Sequence, residues 1–309
     1  MLILIYYQNK KEFMVYKSPI ADFKYNLDML GYNSFAESID QFKDFDTETV
    51  ISVVEQVAKF NEQEMVDSNK KADREGIVYI KDGKEGPEVK TPDYFKPLYQ
   101  SVIESGYIGA SNPTEYGGGG APFAMGILNG EIGIASNMAF YMGPGLSQGA
   151  IKAILKKGNK ELKDKYLPKM ISGEWMGTMC LTEPQCGTDL GLIRSTATPE
   201  EDYYKLNGQK IWISFGEHDL TENIIHLVLA RLPDAPEGIK GISLFLVPKR
   251  LDDNSRNPIF CGGLEHKLGI ISSPTCVMNM DDAKGWMIGE PNKGMEAMFL
   301  MMNDARLKV

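Results

Sequence analysis

The hydrophobic pattern of this chain changes its period near Trp175, and this change constrains the possible folds more than any other feature of the sequence. Before Trp175, apolar residues recur every three or four positions; after Asp46-Thr47, for example, they form one face that ends at Phe60. After Trp175, short alternating or β-branched runs are separated by turns. A series of helices followed by a series of strands predicts an α+β protein in which helical and β domains are separate.

The same pattern predicts the domain boundaries. Residues 15–172 are predicted to form an N-terminal α-helical domain, and residues 173–288 an all-β, barrel-like middle domain. A helical pattern then resumes, so residues 289–309 are predicted to be the first helix of a C-terminal helical bundle. Because Met14 offers an alternative start, residues 1–14 are predicted to be an upstream extension; their short apolar run lacks the features of a signal peptide.

Two local patterns make sharper predictions. Asn207-Gly208 separates two strand-like runs and is a typical dipeptide of two-residue hairpin turns, so a hairpin is predicted there. The last helix has one apolar face, which is predicted to pack either on the N-terminal domain or on a domain outside this sequence. The residues of that face are Met295, Met298, Phe299, Met302 and Ala305.

Composition and residue spacing exclude several classes of function. The formal net charge of -9 and the isoelectric point near 5.1 argue against a nucleic-acid-binding protein, which needs a basic surface. No apolar stretch reaches the roughly 18 residues of a membrane helix, so a soluble, cytoplasmic protein is predicted. The four cysteines form no Cys-x-x-Cys pair and the histidines are isolated, which predicts free thiols and no metal site.

The segment Gly145–Gly149 matches the Gly-x-Ser-x-Gly pattern of a nucleophile elbow, with Ser147 at its centre. Asp219, His226 and His266 follow it in the order found in α/β-hydrolases, so a serine hydrolase that uses Ser147 is one alternative. A pattern this short can match by chance in a chain with 31 glycines, however. Pro144 also argues against the strand–turn–helix context that an elbow requires.

Two stretches carry residues suited to holding a phosphate or the polar edge of a ring. In Met179–Asp189 a strand-like run breaks at Glu183-Pro184 into a Gly-containing turn with threonine hydroxyls and exposed backbone N–H groups. In Gln209–Ser214 a tryptophan precedes a serine by two positions, so on a strand Trp212 and Ser214 share a face. Each stretch alone also fits an ordinary turn or core strand.

Four motifs in the same order resemble those of the acyl-CoA dehydrogenases. They are residues 180–189 (CLTEPQCGTD), 206–214 (LNGQKIWIS), 265–270 (EHKLGI) and 288–295 (IGEPNKGM). The likeness covers nearly the whole chain after Met14. Residues 215–231 and 241–249 are similar to the branch of the family that includes 3-methylmercaptopropionyl-CoA dehydrogenase.

The resemblance implies an FAD-dependent, homo-oligomeric enzyme that oxidises the α,β bond of an acyl-CoA thioester and passes the electrons to an electron-transfer flavoprotein. It implies that the Thr182 hydroxyl bonds the polar edge of the flavin, and that Trp212 and Ser214 cover the ring near N5. The role of such residues is to orient the cofactor and tune its electronics. The other residues that the resemblance assigns to FAD are Met179, Leu181, Gly187 and Thr188.

The resemblance also implies a substrate site. Met138, Met142 and Leu146 match positions that line the acyl pocket in the family. They share one helical face at i, i+4 and i+8, and a face of this kind suits a plain core equally well. Arg306 matches an arginine near the active site. In this interpretation Ser147 belongs to a turn beside the pocket and is not a nucleophile.

No general base is expected in this chain. The implied reaction needs a carboxylate to remove the α-proton. Most members of the family place it in the C-terminal helical domain, and a few at the position that Ala305 occupies here. Because alanine cannot accept a proton, the base is expected beyond Val309 and the chain is predicted to be an inactive fragment of the enzyme. The alternative is a fragment that only binds flavin or acyl-CoA.

Overall fold

The computed structural model describes residues 16–308, so the predicted extension over residues 1–14, with its alternative start at Met14, lies outside the described residues. A helical region, a β region and a final helix follow one another along the chain, as the change of hydrophobic period near Trp175 predicts. The helices are α1 (Ile20–Met29), α2 (Tyr32–Glu37), α3 (Thr47–Phe60), α4 (Val66–Glu75), α5 (Phe95–Glu104), α6 (Phe123–Lys157), α7 (Lys160–Ser172) and α8 (Gly294–Lys308).

The strands lie between α4 and α8. A small antiparallel hairpin pairs the first two strands, and the remaining strands form one mixed sheet. The strands are β1 (Val78–Ile80), β2 (Glu88–Lys90), β3 (Trp175–Cys180), β4 (Thr196–Pro199), β5 (Tyr204–Ser214), β6 (Asn223–Arg231), β7 (Ile242–Pro248), β8 (Ile259–Leu264) and β9 (Thr275–Ile288).

Helix α3 begins where the sequence predicts it. The Asp46 carboxylate accepts a hydrogen bond from the Thr49 N–H at 2.8 Å, which satisfies one of the free donors of the first turn. Val50 and Val54 are fully buried on the apolar face. A single π-turn, Asn61–Met65, then carries the helical path into α4.

Helix α6 consists of two helical segments joined at Asn137, whose backbone is extended (φ -155°, ψ 89°). The side chain of Asn137 replaces the lost helical bonds: its Oδ1 accepts from the Phe140 N–H at 3.0 Å, and its Nδ2 donates to Ser68 Oγ at 2.8 Å. Pro144 lies inside the second segment. The break therefore fixes the direction of residues 138–157, which pack against the β region.

The sheet closes on itself, which confirms a barrel-like β region. Strand β6 pairs with β4 and β7, β4 pairs with β5, and β9 joins β5 to β7. Strand β3 lies parallel to β6 outside this ring, and β8 lies antiparallel to β9. A closed ring leaves few free strand edges, so the end of β5 is held in a fixed position, and parallel pairing with β6 holds the end of β3 beside the ring.

The predicted hairpin at Asn207-Gly208 is wrong, because β5 runs through both residues from Tyr204 to Ser214. The register shifts there by one residue, which makes a β-bulge. The Asn207 side chain bonds the opposite strand: Nδ2 donates to Asp282 Oδ1 at 2.8 Å, and the Asp282 N–H donates back at 2.9 Å. At Gly208 (φ +137°) a Cβ would lie 2.9 Å from Ser195 Cα, so close packing selects glycine there.

Helix α8 packs on α6 and β7, and its buried face differs from the predicted one. Met298 and Met301 are fully buried, and Met301 lies over Gly149 of α6. Met295, Met302 and Ala305 pack at the margin of the same cluster, while Phe299 is 40% exposed. The apolar pattern included Phe299 because it follows Met298 directly, but the contact with α6 lies on the Met298–Met301 side.

All four cysteines are buried and none forms a disulfide, in line with the predicted free thiols. No helix within residues 16–308 is long and apolar enough to cross a bilayer. The same residues contain no cluster of three or more side chains suited to hold a metal ion.

Candidate functional site

The first part of the candidate site is the tight turn that follows β3. Strand β3 ends at Cys180, and Glu183 and Cys186 then exchange two backbone hydrogen bonds of 2.9 and 3.0 Å. Just before this turn, the Thr182 carbonyl accepts from the Ile211 N–H of β5 at 2.9 Å. The turn motif and the tryptophan motif, about twenty residues apart in sequence, are therefore neighbours in the fold.

A buried ion pair fastens the two motifs together. The Lys210 side chain is completely buried, and its ammonium donates to Glu183 Oε1 at 2.8 Å and to the Leu181 carbonyl at 3.0 Å. Glu183 is 3% exposed and also accepts from the backbone N–H groups of Arg194 (2.7 Å) and Ser195 (3.0 Å). Burial opposes ionisation, but the ammonium and these hydrogen bonds outweigh it and lower the pKa of Glu183 to about 2.

Sequence reasoning assigned no role to Lys210 or Glu183, although both lie inside the quoted motifs. The sequence signal for this pair is Lys210 itself. Lys210 follows the buried Leu206 by four residues, so the alternation of a strand places its side chain on the inward face, where an apolar residue is expected. A buried lysine requires an acceptor, and Glu183 is the carboxylate that the β3 turn supplies.

Trp212 stands at a second bulge in β5, where the register shifts between Lys210 and Ile213. Its φ of +62° is uncommon for a residue with a large side chain, and such backbone strain costs about 1–3 kcal/mol. Ile213 is buried, whereas the indole of Trp212 is 44% exposed and lies 5.9 Å from the Lys267 ammonium. The bulge interrupts the regular alternation that was expected here, and it presents the indole beside the β3 turn.

Free hydroxyls line the same region. Within residues 16–308, the hydroxyls of Thr182, Thr188 and Ser214 make no hydrogen bond to another protein group. Gly187 is exposed and lies against Thr182: a Cβ on Gly187 would contact Thr182 Cγ2 at 3.4 Å. Together with the half-buried Met179, these residues form a wall with an apolar base and with surface hydroxyls that no other described protein group binds.

The predicted acyl-pocket residues lie on the second segment of α6. Leu146 is buried in the same hydrophobic cluster as Leu181, and Met142 and Met179 pack against that cluster. Met138 is half-buried one turn earlier. The structure therefore brings one face of α6 next to the end of β3.

Arg306 makes a side-chain contact within its own helix. It is exposed near the end of α8, and its guanidinium donates to Asn303 Oδ1 of the same helix at 3.2 Å. Neighbouring Ala305 is half-buried at the margin of the main core.

The serine hydrolase interpretation is wrong. Ser147 lies inside α6, not on a strand–turn–helix elbow, and it is 3% exposed. Its hydroxyl donates to the Gly143 carbonyl at 3.0 Å and accepts from the Gly177 N–H at 2.9 Å, so it ties α6 to β3. His226 hydrogen-bonds Thr178 Oγ1 at 2.8 Å in a buried position, where burial holds its pKa well below the ordinary histidine value.

Comparison with known proteins identifies the family. The sequence profile "Acyl-CoA dehydrogenase, N-terminal domain" matches residues 47–174, and the profile "Acyl-CoA dehydrogenase, middle domain" matches residues 178–283. The chain belongs to the acyl-CoA dehydrogenase family. The β3 turn, the Glu183–Lys210 pair and Trp212 all lie within the part that the middle-domain profile matches.

Two relatives illustrate the similarity to characterised acyl-CoA dehydrogenases. The chain is 40% identical over 302 residues to 3-methylmercaptopropionyl-CoA dehydrogenase of Ruegeria pomeroyi, covering 96% of this chain and 50% of that protein. It is 38% identical over 257 residues to a butyryl-CoA dehydrogenase of Syntrophomonas wolfei, covering 78% of this chain and 41% of that protein. The chain thus spans about half the length of the curated relatives it matches.

A solved structure supports the same fold. An acyl-CoA dehydrogenase of Bacillus anthracis complexed with FAD superposes with a TM-score of 0.69 at 26% identity, over 86% of this chain and 41% of that one. The helical region, the barrel-like β region and the first helix after it are therefore those of the acyl-CoA dehydrogenase fold.

Proposed function

We propose that this acyl-CoA dehydrogenase chain binds FAD against the wall formed by the β3 turn and the Trp212 bulge, and that the whole protein oxidises the α,β bond of an acyl-CoA thioester. The observation that carries the proposal is the buried Glu183–Lys210 pair, which costs desolvation energy and fixes the position of residues with free polar groups. The relative complexed with FAD and the relatives named for acyl-CoA substrates support the same assignment.

The residues present suit a flavin. An isoalloxazine ring has an apolar face and a polar edge, and the wall offers the exposed indole of Trp212, the side chains of Met179 and Leu181, and the free hydroxyls of Thr182 and Ser214. In the proposal, Thr182 and Ser214 donate to the polar edge, and the indole covers the ring. Gly187 and Thr188 would hold the pyrophosphate.

In this proposal the residues of the chain orient the reactants, and the bound flavin supplies the hydride acceptor. The ion pair keeps the Leu181 carbonyl and the Thr182 backbone in place, so the Thr182 hydroxyl stays at a fixed distance from the indole. Met138, Met142 and Leu146 are proposed to contact the acyl chain and to exclude water from the reacting carbons. Arg306 is proposed to stand near the substrate.

The base that removes the α-proton is not assigned to the described residues. Ala305 has no ionisable group, and the two carboxylates of α8, Glu296 and Asp304, are each paired with a lysine of α6. We therefore propose that the chain binds flavin but does not turn over acyl-CoA by itself. The alternative proposal is that a chain of this length serves only as a binding module.

Several finer features are part of the proposal. The substrate is an acyl-CoA of fatty acid or sulfur metabolism, with 3-methylmercaptopropionyl-CoA as one candidate because of the similarity to the Ruegeria pomeroyi enzyme. An electron-transfer flavoprotein is proposed as the electron acceptor, a homo-oligomer as the assembly and the cytoplasm as the location. The domain limits are proposed at residues 15–172, 173–288 and 289–309.

The proposal is tested by flavin binding and turnover measured on the same purified chain. FAD is titrated and followed by its fluorescence and visible absorbance; acyl-CoA-dependent bleaching is then recorded with an artificial electron acceptor. The expected result is saturable FAD binding without turnover. Bleaching by acyl-CoA would contradict the assignment of the base outside the described residues, and a chain that binds no FAD would overturn the proposed cofactor site.

A further inference from the structure

A small polar cavity borders α6 on a side that the roles above do not use. It has a volume of about 40 Å³ and lies between α6 and residues 107–112. Asn129 in its wall is 2% exposed, yet both atoms of its side-chain amide lack a hydrogen-bond partner among the described residues. Gln148 accepts from Asn112 Nδ2 at 2.9 Å, while its own buried Nε2 has no partner.

Such unpaired atoms call for a bound group. A buried polar atom left without a hydrogen bond costs about 1–3 kcal/mol, and four of them, including the Tyr107 hydroxyl, belong to residues that line this one cavity. The volume accommodates about three water-sized groups. The cavity is therefore large enough for the polar end of a ligand, and the Asn129 amide offers that end both a donor and an acceptor.

The charges around the cavity favour an uncharged group. Lys152 is the charged side chain among the residues that line it, and its ammonium is paired with the buried carboxylate of Asp304. Burial raises the pKa of Tyr141, so this phenol is neutral at physiological pH. A ligand anion would gain little from an ammonium that is already paired, whereas a hydroxyl or a carboxamide matches the Asn129 and Gln148 amides.

The cavity and the proposed acyl pocket lie on neighbouring faces of α6. With 100° between successive helical residues, Gly145 lies on the helix surface between the Met142–Leu146 face and the Tyr141–Gln148 face. A Cβ at Gly145 would meet only the Tyr141 ring, at 3.4 Å, and glycine leaves even this space free. No side chain at position 145 separates the two faces.

We propose that the acyl chain of the substrate passes over Gly145 and that its far end hydrogen-bonds to Asn129 and Gln148. The preferred substrate is then an acyl-CoA whose acyl group ends in an uncharged hydrogen-bonding group, a hydroxyl or a carboxamide. This inference rests on the proposed function, since it takes the Met142–Leu146 face as the acyl pocket.

The test is a binding series on the chain as it exists, loaded with FAD. Calorimetry measures the dissociation constants of saturated acyl-CoAs of four to ten carbons, and of the same acyl-CoAs with a terminal hydroxyl or carboxamide. At the chain length that reaches Asn129, the polar-ended compound is expected to bind at least tenfold more tightly than its alkyl counterpart. Asn129→Leu and Gln148→Leu should each remove this preference, whereas Gln100→Leu, an exposed change on α5, should keep it.

Each outcome decides between the possibilities. Equal or tighter binding of the alkyl compound at every length would overturn the inference and leave the proposed function intact, because it would mean that the cavity holds only water. A chain that binds neither FAD nor any acyl-CoA would overturn both. If the Leu variants fail to fold, the dissociation constants measured on the parent chain still test the inference. Tighter binding of the polar-ended compound at one chain length supports it, and no such preference at any length contradicts it.

Discussion

Replacing Lys210 by methionine is the change that most directly tests how the two site motifs are held together. The substitution removes the ammonium and leaves the Glu183 carboxylate 3% exposed without its counter-ion. Breaking a buried pair in this way typically costs about 3–5 kcal/mol of unfolding free energy at neutral pH. The pKa of Glu183 is lowered to about 2, as expected for a carboxylate stabilised by the ammonium, whereas burial lowers the pKa of Lys210 and offsets part of this gain.

The pH dependence has a definite sign. Because the pKa of Glu183 is lower in the folded state, its stabilising contribution is fully present above about pH 4.5 and is lost as the pH falls from 4.5 towards 2. In Lys210→Met the carboxyl keeps the hydrogen bonds from the Arg194 and Ser195 N–H groups but has no ammonium beside it, so this loss of stability should be smaller. The difference in stability between parent and variant should therefore shrink on acidification.

Urea unfolding at pH 7 and at pH 3.5 measures both effects. The exposed Lys205 on the same strand, paired with Glu200, provides a matched control whose methionine variant should lose less than about 1 kcal/mol. The double variant Lys210→Met/Glu183→Gln should recover part of the loss, because no charge remains buried. A cost below 1 kcal/mol for Lys210→Met, or a double variant no more stable than the single one, would refute the reasoning.

Three further predictions concern single elements. Asp46→Ala removes the α3 cap and should lower the unfolding free energy by about 1 kcal/mol in urea, with Asp44→Ala as an exposed control. Ser147→Ala leaves the Gly177 N–H unsatisfied and should cost about 1–3 kcal/mol; an unchanged thermal midpoint would show that this bond does not stabilise the contact of α6 with β3. Trp212→Gly relieves a positive φ and should change stability by less than about 1 kcal/mol in the same assay, because the relief offsets the lost indole contacts; a much larger loss would show that the indole is a core residue.

The sequence was sufficient for the architecture because the relevant signals are local. The cap at Asp46, the period of α3 and the change to short strands near Trp175 each depend on neighbouring residues, and the structure confirms all three. The motif order also identified the family, which the two matching profiles confirm.

What could not be predicted depends on contacts between distant segments. Asn207-Gly208 has the local preference of a turn, but pairing of the same strand with β9 and close packing on Ser195 convert it into a bulge. The side of α8 that is buried follows from where α6 lies, not from the apolar pattern of α8 itself. Glu183 and Lys210 are 27 residues apart in sequence, and their burial as a pair appears only once β3 and β5 are side by side.

The most direct test of the account is FAD binding by the purified chain compared with its Trp212→Gly variant. Glycine accepts the positive φ at this position, so the backbone of the bulge can persist while the indole is removed. The account predicts saturable FAD binding by the parent chain and at least tenfold weaker binding by the variant at similar thermal stability. No FAD binding by the folded parent chain, or equal affinity of the two proteins, would contradict the assignment of this wall to the flavin.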